Sequence, residues 1–85
     1  MRRNLGKFLI SMELIEDNPK FVQKVMSECI PVRAEMRYDS HAIEYIAMSR
    51  FFDIVPQGQV VPEYMIHCMQ NKNGKVRWNF WPIHL

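Results

Sequence analysis

An 85-residue chain is one domain's worth of sequence, and a domain this short buries only about 60% of the surface its unfolded chain exposes, so its core must be thin. With 48% hydrophobic and 24% charged residues it has the composition of a folded globular chain, which argues against disorder. No apolar run of about 18 residues offers a membrane span, and a net charge of +2 is too small to imply a partner.

The distribution of charge is more informative than its sum. Arg2, Arg3 and Lys7 make the N-terminal stretch basic, and Lys72, Lys75 and Arg77 do the same near the C-terminus. All nine acids lie between them. If the two ends meet in the fold they form one positive patch on a dipolar molecule.

In chain order, positive charge precedes Phe8-Leu9-Ile10 as at the start of a signal peptide. The apolar stretch then breaks at Ser11 and Glu13 with no small-residue cleavage site, so secretion is not expected. Residues 7–14 fit two patterns. Phe8, Ile10, Met12 and Leu14 alternate as in a strand, while Leu5, Phe8, Leu9 and Met12 fit a helical stripe. The strand is favoured because Gly6 is costly near a helix start. An amphipathic helix is predicted over residues 19–29. Asn18 caps it, Pro19 suits its first position, and Phe21, Val22, Val25, Met26 and Cys29 share one face. Pro31 is expected to end it. Glu16 and Asp17 precede it and suit its positive end.

Residues 32–39 alternate without exception. Val32, Ala34, Met36 and Tyr38 are expected to point inward and Arg33, Glu35, Arg37 and Asp39 to water. Residues 42–49 read as a returning strand after a turn at Tyr38–His41, with a helix as the competing reading. Residues 50–62 are irregular: Phe51 and Phe52 must bury something, and Pro56-Gln57-Gly58 signals a turn. Asn73-Gly74 is a strong hairpin signal. A two-residue loop there pairs Lys72 with Lys75, sets Met69 opposite Trp78 and His67 opposite Phe80, and turns these four with Met65 toward the core. The other face then carries Ile66, Cys68, Gln70, Arg77, Asn79 and Trp81. The whole predicts a single α+β domain over residues 1–85: a small antiparallel sheet of three to five strands with one helix on one face.

Little of this points to catalysis. His41, His67, His84, Cys29, Cys68 and the carboxylates are the possible metal ligands, but their spacing does not bring three or four together. Adjacent His67 and Cys68 face opposite sides of a strand. The glycines are isolated, so there is no phosphate cradle and no cofactor is expected. The two cysteines read as small buried hydrophobes, which fits a reducing, cytoplasmic setting.

Binding asks less of the chain. Seven methionines in 85 residues is a high share, and Met, Trp and Arg are frequent at interfaces. The expected function is non-catalytic protein binding through a sheet edge or the outer hairpin face, with Arg33, Glu35, Arg37, Arg77 and Trp81 as the binding residues and self-association as one route. The alternative is single-stranded nucleic-acid binding by the basic aromatic hairpin, although a pI of 8.7 is modest for that. A short chain without catalytic motifs resembles the small accessory proteins of bacteriophages, and the resemblance implies an inhibitor that binds and blocks a host or defence protein.

Overall fold

The structure is a computed structural model that describes residues 4–70 and 72–83. Seven elements follow in order: β1 (Leu5–Ser11), α1 (Met12–Asp17), α2 (Pro19–Ser27), β2 (Ile30–Arg37), β3 (Ala42–Met48), β4 (Tyr64–Gln70) and β5 (Val76–Pro82). The fold is α+β, and the strands form two antiparallel sheets, β1-β3-β2 and β4-β5.

Local chemistry accounts for most boundaries. The Ser11 hydroxyl accepts the Leu14 N–H at 3.1 Å, so the strand ends at a residue that caps the next helix. Met12 and Leu14 therefore belong to α1, not to the longer strand that alternation predicts; Ser11 followed by Glu13 is the local signal for that change. Asn18 closes α1 by donating its N–H to the Leu14 carbonyl, and its side chain accepts the Phe21 N–H to open α2. Phe21 and Val25, one turn apart, are the buried face of α2.

Two expectations near α2 need correction. The helix stops at Ser27, not Cys29, and Pro31 does not end it. Pro31 lies inside β2, where a register shift between Pro31 and Arg33 accommodates it. β2 is an edge strand, the place where a missing N–H is tolerated. Nor does β2 have one dry face. Val32 is 60% exposed, Ala34 is exposed, and only Met36 is partly covered. Tyr38 and Asp39 lie beyond the strand, in the turn to β3. Alternation sets which way the side chains point, but nothing packs over most of this edge.

The largest correction concerns the hairpin. Its strands pair as Cys68↔Trp78 and Ile66↔Phe80, with Gln70↔Val76 the last pair before the loop. The connection is longer than the two-residue turn that Asn73-Gly74 predicts, and it shifts the register by one residue. A shift of one reverses the face of every residue on one strand relative to the other. Trp78 and Phe80 face inward as expected, but their partners are Ile66 and Cys68. Met65, His67 and Met69 join Arg77, Asn79 and Trp81 on the outer face.

The core joins the two sheets and α2. Phe8 and Ile10 of β1, Ala47 of β3, Phe21, Val25 and Cys29 from the α2 region, Phe52, Tyr64 and Phe80 form one buried cluster. Phe80 stands among rings, with centroid distances of 5.0 Å to Phe8, 4.7 Å to Phe52 and 5.3 Å to Trp78. Phe52 is carried by the irregular segment, fixed by its N–H to the Ser49 carbonyl and by Asn4 Nδ2 donating to its own carbonyl at 2.9 Å. Farther along, Gln59 N–H bonds the Pro56 carbonyl, with Gly58 at φ 85°, a conformation that suits glycine.

Phe52 lies flat against Gly6. A Cβ at Gly6 would come within 2.7 Å of the Phe52 ring, and that ring is buried. Gly6→Ala should therefore cost about 1–3 kcal/mol, as overpacking does. Phe80→Ala should cost about 3–5 kcal/mol, most of what a domain of this size has. Urea denaturation followed by far-UV circular dichroism measures both. A Phe80→Ala midpoint equal to wild type would remove Phe80 from the centre of the core.

Candidate functional site

The five residues expected to bind a partner fall into two groups. On the outward side of β2, Arg33 Nη2 lies 3.2 Å from Glu35 Oε2. Arg37 lies 3.9 Å from both Asp39 and Glu44. The ladder of alternating charge is thus paired within itself, and exposed pairs of this kind contribute about 0–1 kcal/mol each. Arg77 and Trp81 lie on the other sheet, on the outer face of β4–β5. No hydrogen bond, ion pair or ring contact among the described residues joins the two groups.

The outer hairpin face has one well-defined feature. The Trp81 ring stacks on His67 at a centroid distance of 3.6 Å and an interplanar angle of 9°. Met65 pairs with Trp81 across the strands, so His67 reaches it diagonally. The two-residue loop turns His67 toward the core, whereas the actual register sets it outward. Its buried Nδ1 has no hydrogen-bond partner among the described residues. Met65, Met69 and Trp81 around it are 47%, 49% and 44% exposed.

The feature that sequence reading missed is a cleft of about 860 Å³ between β1 and β4. Phe8 and Leu9 line it from β1, Tyr64, Met65, Ile66 and Cys68 from β4, and Leu14 and Phe21 from the helices. Its volume is within the range of about 300–1,000 Å³ usual for ligand clefts. The strands meet at one end, where Lys7 N–H bonds the Pro62 carbonyl at 2.9 Å and Lys7 Nζ lies 3.1 Å from Glu63. Lys7 is thereby drawn into the cleft wall. Arg2 and Arg3, on which the expected joining of the two basic ends depends, lie outside the described residues, as does His84. The alternation pattern shows which residues face inward, but it cannot show that two sheet edges lie side by side.

The two cysteines are free and differ in setting. Cys29 is buried beside α2; burial raises its pKa, the Ser49 hydroxyl opposes this by hydrogen bonding, and Glu28 adds to the rise. Cys68 is exposed on the cleft wall, and its partial desolvation raises its pKa too. Neither thiol is activated as a nucleophile. Among the described residues no three of His, Cys, Asp and Glu converge as metal ligands, and no helix is long and apolar enough to cross a membrane.

No family model matches the chain, and no curated protein and no solved structure matches it.

Alkylation tests these two environments. In the native protein iodoacetamide should label Cys68 and spare Cys29 until the chain is unfolded. Because the thiolate reacts and the Cys68 pKa is raised, labelling should be slow at neutral pH and accelerate as pH rises above the ordinary thiol value. Peptide mass spectrometry reads the sites; equal native labelling of both would contradict the burial of Cys29.

Proposed function

We propose that the protein is a non-catalytic protein-interaction module. One observation carries this reading: Met65, Met69 and Trp81 form an exposed face with Arg77, seated on a sheet whose other side is anchored in the core. Trp and Arg are frequent interface anchors and Met side chains adapt to irregular contacts, while the sheet beneath fixes the backbone that carries them. The stack against His67 holds the Trp81 ring in place before a partner arrives. The edges of β2 and β5 offer a further route, pairing with another chain or with a second copy. Two free cysteines fit a reducing, cytoplasmic setting. By analogy with small phage accessory proteins, the outcome of binding is inhibition of a host or defence protein.

A second reading draws on the same face. Arg77 and a half-exposed Trp81 on one face of β5 are a small platform for a single-stranded nucleic acid. Trp78 and Phe80 add nothing to it, since both turn to the core.

Capture of partners from the native host by the tagged protein, identified by mass spectrometry, tests the first reading. Arg77→Glu with Trp81→Ala should reduce the captured partner at least about tenfold, while the melting temperature stays within a few degrees of wild type. Undiminished capture by the double variant would remove this face as the site. Gel shifts with mixed oligonucleotides test the second reading: phosphate contacts would give binding at low salt that falls steeply as salt rises. Absence of any shift at low salt would eliminate it.

A further inference from the structure

We propose that the cleft between β1 and β4 receives an extended segment of a partner protein, which pairs with both facing sheet edges and joins the two sheets into one. The proposal rests on the protein-interaction reading and deepens it by naming the mode of binding and the chemistry of the segment bound.

Main-chain direction carries it. Asn4 accepts the Ser49 N–H at 3.1 Å and Met12 donates to the His41 carbonyl at 3.0 Å, so even-numbered residues along β1 turn their main-chain groups toward β3. Lys7, which bonds Pro62, turns the opposite way. Strand geometry then aims the N–H and C=O of Leu9 into the cleft. On the opposite wall, Ile83 N–H bonds the Glu63 carbonyl at 2.9 Å, so odd-numbered residues of β4 face β5. The main-chain groups of Ile66 and Cys68 therefore face β1 across the cleft. None of these groups of Leu9, Ile66 and Cys68 has a hydrogen-bond partner among the described residues. β1 and β4 run parallel and meet at the Lys7–Glu63 bridge, with no ladder beyond it where the cleft opens between them. Two parallel edges held apart over an apolar floor are what a strand lying between them would complete. Antiparallel pairing is the stronger kind, so the inserted segment runs opposite to both walls.

The lining selects the segment. Side chains on one face of the guest would meet Leu14, Phe21 and Ile66. On the other face the charges are already matched, Lys7 with Glu63, and Arg37 with Asp39 and Glu44. A guest of about five residues alternating apolar with uncharged polar side chains fits both faces. A nucleic acid does not, because its phosphates would find these cations taken. The β2 edge of a second copy fits poorly too, since Arg33, Glu35 and Arg37 put a charge at every second position.

The test is selection of the wild-type protein against a displayed library of random seven-residue peptides, followed by synthesis of the strongest binder. Alternating apolar and neutral polar residues should be enriched. In amide-resolved NMR the synthetic peptide should slow hydrogen exchange at Leu9, Ile66 and Cys68 at least about tenfold. N-methylation of either of two consecutive peptide amides should weaken binding about tenfold or more, because one faces β1 and the next faces β4; pairing with a single edge would tolerate one of the two. Leu9→Pro removes a cleft-facing donor without touching the β3 ladder and should abolish binding, while Leu9→Ala retains it. Should Leu9→Pro fail to fold, the methylated peptides decide alone. Recovery of no binder, protection absent from the three amides, or concentration-dependent dimerisation that fills the cleft without peptide would each overturn the proposal. A binder that instead perturbs Met65, Met69 and Trp81 would overturn it while leaving the protein-interaction reading intact. That broader reading fails separately, when no host protein depends on Arg77 and Trp81 for capture.

Discussion

The packing of Phe80 against Phe8 and Phe52 is the contact on which the molecule depends. Phe8 belongs to the three-stranded sheet, Phe80 to the hairpin and Phe52 to the irregular chain between them. Without these rings the two sheets would be joined by the bridge at Lys7 and Glu63 and by the packing of Tyr64, Ile66 and Trp78 alone, a core thin for 85 residues. Gly6 is part of the same constraint, because the ring of Phe52 occupies the space where a side chain would stand.

That arrangement also explains where binding surface is left. Joining two sheets by one cluster of rings at one end closes the core there and leaves the strands apart at the other. The cleft between β1 and β4 is the geometric remainder of a core too small to cover both edges. The outer hairpin face is exposed for a related reason: α2 gives Phe21 and Val25 to the core, and among the described residues no third helix covers Met65, Met69 and Trp81. Small size thus produces the open surfaces that a binding protein uses, and the same surfaces would be a liability on an isolated chain at high concentration.

How much was legible in the sequence differs by element, and the difference is physical. The Asn18-Pro19 start of α2 rests on contacts among a few neighbouring residues, and it can be read directly. The strand of residues 42–48 is legible only in part: its alternation leaves a helix as a competing reading, and pairing with β1 and β2 decides for the strand. The length of the hairpin loop cannot be read. Asn73-Gly74 favours a tight turn locally, but the core gains more by placing Ile66 beside Phe80, and the register follows the core. His67 changed sides with that shift and became the partner of Trp81. Of the expected binding residues, Arg77 and Trp81 were correctly placed outward because β5 kept its phase. Arg33, Glu35 and Arg37 are also outward, but the pairing of Arg37 with Glu44 across the sheet is not visible as spacing.

The sequence by itself determined the α+β class, the capped helix, the strand character of most alternating stretches and the inward aim of Trp78 and Phe80. These follow from local preferences and from the two-residue period of a strand. Only the tertiary structure decided the hairpin register, the division into two sheets and the facing of β1 toward β4. Those depend on which residues meet in the assembled core, such as Phe8 with Phe80 and Lys7 with Glu63, where burial energy summed over many side chains outweighs any local turn or propensity.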